Sequence, residues 1–286
     1  MNVFFIIFIL TIFVLLIYKA YKNTKHVVIN DVDLSKRETS NFHAPKLNIL
    51  HISDMHLENI SITPQQLYRK LKHEKIDLIA LTGDFLDRKR SIPKLVPYLQ
   101  SFHQLNPKYG MYAVFGNHDY VLRQKDFAVL KQTLEQYGCK AMQNEHDTIM
   151  VHGKRVNIIG VDDASTNRSD LSKSYKDLKE GYHLVLTHDP NLVLNMKEYH
   201  FDYLLSGHFH GGQIHWPKPY HLAKLGRKMM RLNMVKGLHY YDGKPFYISE
   251  GLGQTGVNIR VGSRPEITLH RLPLCTMANE ETPTAV

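Results

Sequence analysis

Five short polar clusters in this chain hold side chains that bind hard and borderline divalent cations: Asp54-Met55-His56, Gly83-Asp84, Gly116-Asn117-His118-Asp119, Thr187-His188 and Gly207-His208-Phe209-His210. Two carboxylates, one amide and four or five imidazoles are more ligands than a single ion uses. The set contains no thiolate, so it does not suit a structural zinc site and does suit a pair of ions such as Mn²⁺, Fe or Zn²⁺. An isolated Gly-Asp or Gly-Asn pair is ordinarily a turn, in which the Asx side chain folds back on the backbone. Here all five clusters directly follow apolar runs, which argues for one site and against five turns.

Those runs, at 47–52, 78–81, 111–115, 184–186 and 203–205, are short and rich in aliphatic or aromatic residues, as buried strands are. Helical segments lie between the first three and after the third. Thr63 precedes Pro64 as a cap, Ser91 precedes Ile92 and Pro93, and Phe127, Leu130 and Leu134 form an apolar stripe ended by Gly138. Strand and helix therefore alternate, which predicts an α/β fold. In an open α/β sheet the loops at the carboxyl ends of the strands lie side by side, so five strand ends can meet in one crevice.

The ordered series D-x-H, GD, GNHD, H, GHxH, from Asp54 to His210, resembles that of the calcineurin-like metallophosphoesterases. The continuation Gly211-Gly212-Gln213 and the apolar N-terminus are similar to the bacterial membrane-associated branch of that superfamily. The resemblance implies a four-layer αββα sandwich. It also implies that Asp54, His56 and His210 hold one ion, that Asn117, His188 and His208 hold the other, and that Asp84 bridges them. A carboxylate shared by two cations keeps them about 3.5–4 Å apart, a spacing suited to in-line attack on phosphorus with the developing charge neutralised. In the family the histidine equivalent to His118 faces the phosphate and protonates the leaving alkoxide or stabilises the transition state, tasks within reach of an imidazole. Asp87 matches the position that orients this histidine.

Asp119 and Asp189 share these loops, but the family draws its ligands from other residues of the motifs. His51, His103, His183 and His239 read as surface or satisfied core groups, and Gly211 and Gly212 as permitting close backbone approach.

Residues 3–18 carry no charge, and residues 1–20 reach the roughly 20 residues that span a bilayer. No small-x-small cleavage site follows, so this is an uncleaved transmembrane helix. Lys19, Lys22 and Lys25 come after the span and no Lys or Arg comes before it; the positive-inside rule then predicts a catalytic domain on the cytoplasmic face. The extracytoplasmic placement stands as the alternative, because amino-terminal anchors also deliver domains outside. Cys139 and Cys275 are too few for a disulfide framework.

The 286 residues divide into an anchor (1–20), a basic flank and tether (21–44), the metallophosphoesterase domain (45–273) and a polar tail (274–286). Further strand-like runs occur at 148–151, 156–161, 245–249 and 266–271, and Asp242-Gly243 predicts a hairpin turn. The net charge of +9 favours anionic partners. In residues 221–234, Lys224, Arg227, Lys228 and Arg231 alternate with Leu222, Leu225, Met229, Met230 and Leu232. This basic amphipathic segment suits lipid headgroups, or else a helix that packs its apolar side on the domain. No nucleic-acid-binding signature occurs.

The expected activity is hydrolysis of a phosphodiester or pyrophosphate linkage, with a lipid-linked molecule as first choice of substrate. A small-molecule phosphomonoesterase and a catalytically silent membrane scaffold are the alternatives. The intact ligand set argues against the scaffold, which needs neither the ligands nor His118.

Overall fold

The computed structural model describes residues 3–37, 45–60, 62–219 and 222–274. In chain order the elements are α1 (Val3–Asn23), β1 (Val28–Asp33), β2 (Lys46–Ile52), α2 (Pro64–Leu71), β3 (Leu78–Thr82), α3 (Ile92–Gln104), β4 (Met111–Val114), α4 (Gln124–Gln136), β5 (Cys139–Ala141) and β6 (Glu145–Val151). They continue with β7 (Lys154–Gly160), α5 (Leu171–Ser174), β8 (Tyr182–Leu186), β9 (Tyr203–Ser206), α6 (Leu222–Leu225), α7 (Arg227–Arg231), β10 (Gly237–Tyr241), β11 (Lys244–Ile248) and β12 (Glu266–Pro273).

The strands form two six-stranded sheets, β1-β12-β2-β3-β4-β5 and β10-β11-β9-β8-β7-β6. Strands β2 to β5 are parallel, as are β7, β8, β9 and β11. Every residue of β3, β4 and β9 is buried, as strands covered on both faces must be. The period of two sorts the side chains into layers. Leu47 and Ile49 of β2 point into the core between the sheets, with Leu78, Leu184 and Leu205, whereas Leu50 and Ile52 pack under α2, α3 and α4. On the far face of the second sheet, Ile159, Val185 and Leu204 pack against Leu222 and Met229 of α6 and α7. The result is the expected αββα sandwich, preceded by the apolar α1.

Local signals explain the helix starts. Thr63 accepts from the Gln66 N–H at 3.2 Å while the Gln66 side chain accepts from the Thr63 N–H at 3.0 Å, a capping box with Pro64 in the first turn. Asp242 and Gly243, both with positive φ, turn β10 into β11.

Two boundaries need correction, and the basic segment takes its packing alternative. Helix α1 runs to Asn23, past Ala20. Val28–Asp33, assigned to the tether, is a strand paired in parallel with β12 from Val28↔Glu266 to Asp33↔Arg271, with Asp31 and Arg271 joined at 2.6 Å. It escaped notice because half of its residues are polar, as on a sheet edge. The basic segment is two short helices divided at Gly226: Leu222 and Met229 enter the core, while Leu225 and Leu232 are exposed. Residues 38–44 and 275–286 of the assigned tether and tail, with Cys275, lie outside the described residues.

Between the sheets lies a buried polar group. His51 Nε2 meets Thr82 Oγ1 at 2.8 Å, His270 Nδ1 meets Tyr203 Oη at 3.0 Å, and Tyr247 and Thr268 donate to Glu266 Oε1 at 2.9 and 2.6 Å. Burial lowers the His51 pKa to about 3, so it is a neutral core group. Burial raises Glu266 to about 7, although the Thr268 and Tyr247 hydrogen bonds oppose the shift.

A carboxyl whose folded pKa is raised adds stability below its ordinary value near 4.5, and that stability is lost as pH rises towards 7. Glu266→Gln keeps the acceptor oxygen without the charge. Its Tm relative to the parent chain is expected to rise between pH 5 and pH 8, by a shift worth on the order of 3 kcal/mol. A constant Tm difference across that range would rule out an ionising Glu266.

Candidate metal centre

The parallel strands that carry the five clusters end level with one another. Ile52 pairs with Leu81, Thr82 with Val114, and Leu186 with Leu205, so the residues that follow emerge along one edge of both sheets. The loops then turn sharply: Asp54, His56, Asp84, His208 and His210 have φ of 50°, 36°, 52°, 71° and 49°. Non-glycine residues rarely hold such angles, and clusters of them mark strained functional loops. Close approach also requires glycine at two places. A Cβ on Gly207 would lie 2.2 Å from Asp54 Oδ2, and one on Gly116 would lie 2.2 Å from Asp84 Oδ1.

Asp54, His56 and His210 come together in one group with ligand atoms within 4.8 Å, and Asp84, His188 and His208 in another. His56 Nε2 and His210 Nε2 are 3.2 Å apart, and His188 Nε2 and His208 Nδ1 are 3.1 Å apart. Two imidazole nitrogens at that distance need a proton or a cation between them. Asp84 Oδ2 lies 3.2 Å from His188 Nε2 and 3.6 Å from His56 Nε2, while Oδ1 accepts the His118 N–H at 2.8 Å. Asn117 Oδ1 and His208 Nε2 are buried without a hydrogen-bond partner, and an orphaned amide oxygen at such a place fits a cation. The donors are imidazole, carboxylate and amide, which fits divalent ions of the first transition row.

The charges agree. Burial alone would raise Asp84, but the neighbouring His188, His56 and His118 hold its carboxyl well below the usual range. Burial would lower His188, yet Asp84 and Asp54 raise it well above the ordinary value. His210 is driven well below that value by burial and by His56 and Arg260.

His118 and Asp87 sit at the mouth, where His118 also groups with His56 and Asp84 within 4.8 Å. Their side chains are 30 % and 29 % exposed, against 0 % for His56 and His188. Asp87 Oδ1 accepts from His118 Nδ1 at 2.9 Å and also from His56 Nδ1 at 3.0 Å. Burial lowers the His118 pKa, but the Asp87 bond and the Asp84 charge outweigh this and raise it to about 9.

Four residues support the site without being among its expected ligands, and two of them, Glu58 and Arg260, had no place in the expected site. Asp119 is buried and accepts from the backbone N–H groups of Asp84, Phe85 and Gly116 at 2.9–3.0 Å, so it shapes two of the loops. Asp189 caps the turn after His188 by accepting from the Asn191 N–H at 2.9 Å. Glu58 accepts from the N–H groups of Asp87 and Arg88 at 3.1 and 3.0 Å. The fully buried Arg260 donates to the carbonyls of His210, Glu250, Gly251 and Gly253. Asp119 carried a signal, its place in the third motif. Nothing in the sequence around Arg260 distinguishes it.

The family model for calcineurin-like phosphoesterases matches residues 47–212, which span every expected metal residue. The chain is 62% identical over 261 residues to the metallophosphoesterase YkoQ of Bacillus subtilis (strain 168), covering 91% of this chain and 96% of that protein. YpbG of the same organism is 30% identical over 273 residues, covering 90% of this chain and 91% of that protein. The UDP-2,3-diacylglucosamine pyrophosphatase LpxG of Chlamydia muridarum (strain MoPn / Nigg) is 26% identical over 283 residues, covering 80% of this chain and 84% of that protein. Motif order, strand-end geometry and these matches agree: the chain belongs to the calcineurin-like phosphoesterases, metal-dependent hydrolases of phosphoric esters.

Proposed function

We propose that this chain is a membrane-anchored phosphoesterase that uses two divalent ions, Mn, Fe or Zn, to hydrolyse a phosphodiester or pyrophosphate linkage in a lipid-linked substrate. The observation that carries this reading is the position of Asp84 Oδ2, which faces both His56 and His188 and so stands between the two nitrogen groups. In this reading Asp54, His56 and His210 hold one ion, Asn117, His188 and His208 hold the other, and Asp84 is shared. The ions, when bound, supply an activated water nucleophile and neutralise charge on the phosphoryl oxygens.

The chain's own groups do the rest. Asp87 occupies His118 Nδ1, which leaves Nε2 as the ring nitrogen free to hand a proton to the departing oxygen. The same carboxylate holds His56 Nδ1, so one side chain orients both the general acid and a metal ligand. Burial of the remaining ligands leaves His118 as the imidazole that substrate can reach.

Membrane attachment is supported by α1, which is 21 residues long and apolar. The exposed cations Lys224, Arg227, Lys228 and Arg231 suit anionic headgroups. LpxG, a relative named for cleaving a pyrophosphate in a diacylated sugar nucleotide, supports the substrate class.

Three outcomes are expected. Elemental analysis of the active chain should find about two ions per molecule, Asp84→Asn should reduce both, and His188→Ala should empty mainly one. A single ion that is unchanged in Asp84→Asn would remove the shared-carboxylate model. His118→Ala should keep the metal and lose of the order of 10²- to 10⁴-fold in turnover on alkyl esters, with a smaller loss on p-nitrophenyl esters, whose leaving group needs little protonation. Equal losses on both would assign His118 to charge stabilisation, and unchanged rates would remove its role. Finally, a cysteine at the exposed Ser172, with Cys139 and Cys275 replaced, should escape a membrane-impermeant thiol reagent in intact cells and react after lysis. Labelling of intact cells would put the domain outside.

A further inference from the structure

Helix α1 does not leave the domain as a loose stalk. Its last turn is held by two hydrogen bonds, from the Arg260 N–H to the Ala20 carbonyl at 3.0 Å and from Asn23 Nδ2 to the Arg260 carbonyl at 2.8 Å. Ala20 is buried, unlike the rest of the helix. Beside this joint is an open cleft of about 730 Å³ between α1 and the loop that follows the last metal motif. Leu16, Ala20, Ile214 and Trp216 give it an apolar wall, with Lys19 and Arg264 also at its surface.

The place of this cleft along α1 indicates what fills it. Leu16 lies one turn, about 6 Å, further into the apolar span than Ala20. A wall that includes Leu16 therefore reaches the hydrocarbon, whereas Lys19 marks the polar boundary. Trp216 is 75% exposed and Ile214 41%, side chains that water would not favour on a free surface. Tryptophan prefers this boundary depth, and cations beside it complement an anionic headgroup. The only acid lining the cleft, Glu250, is paired with Lys236 at 3.1 Å and so does not repel one.

We propose that this cleft seats an acyl chain of an anionic membrane lipid, with the headgroup at Lys19 and Arg264. The inference rests on the reading of α1 as a membrane anchor. The cleft also adjoins the metal loops. Glu250 lines it, and the Arg260 guanidinium joins the Glu250 carbonyl to that of His210. The seat thus holds a lipid one loop away from the candidate metal centre, at headgroup level.

Trp216 is the only tryptophan in the chain, so its fluorescence reports on the cleft alone. The full chain in dodecylmaltoside micelles is titrated with phosphatidylglycerol brominated along its acyl chains. Saturable quenching within a few equivalents is expected, lost in Ile214→Glu. Quenching that only rises in proportion to the bromolipid fraction, or none at all, would overturn the seat, as would unchanged quenching in Ile214→Glu. Hydrolysis of bis-p-nitrophenyl phosphate by the same samples separates this from the proposed chemistry. An active chain without saturable quenching fails the seat alone, and saturable quenching in a metal-loaded chain without hydrolysis fails the enzymatic reading alone.

Discussion

The crowding of buried imidazoles around two buried carboxylates is the constraint on which the rest of this structure depends. His56 and His210, and likewise His188 and His208, bring ring nitrogens to within 3.1–3.2 Å, with Asp54 and Asp84 beside them and almost no exposure to solvent. Burying such groups is costly unless each finds a partner. Protons can satisfy some of these atoms, and cations would satisfy the orphaned Asn117 oxygen and the paired nitrogens together. Holding such a set in place demands left-handed backbone at Asp54, His56, Asp84, His208 and His210 and glycines where loops touch. A strained, close-packed edge is therefore what the sandwich has to support.

That support comes from buried groups that do not themselves face the metal positions. Asp119 gathers N–H groups from the loops after β3 and β4, and Arg260 gathers carbonyls from the loops after β9 and β11. Each replaces hydrogen bonds that sharply turned loops cannot make in a sheet. One brace is an acceptor that collects donors and the other a donor that collects acceptors. Asp87 has a different task. By accepting from both His56 and His118 it ties the orientation of the exposed imidazole to that of a buried one, so a shift in either is felt by the other.

The legible part of the site was the part written as residue type and spacing. The expected ligands sit directly after strands, and a parallel sheet brings strand ends together, so their order was enough to predict that Asp54, Asp84, His188 and His210 gather at one edge. Strands buried on both faces were equally plain, because they are continuous apolar runs. What escaped was set by contacts distant in sequence. Val28–Asp33 is a strand only because β12, more than 230 residues later, offers it an edge. Arg260 is fully buried because carbonyls of two loops, after β9 and after β11, surround it, and no local pattern announces that. The shared bond at Asp87 needed the relative placement of the first and third motif loops, which spacing does not supply.

The edge strand and the buried arginine together alter what the apolar helix is. A tether would let the domain tumble relative to its anchor, but only 24–27 separate α1 from β1, and β1 is built into the sheet. Arg260 closes the joint from the other side: its backbone grips Ala20 and Asn23 while its guanidinium grips the His210 loop. One residue therefore spans from the end of the helix to a residue of the metal centre. The direction in which α1 leaves the domain is fixed by the same contacts that shape the loop after β9.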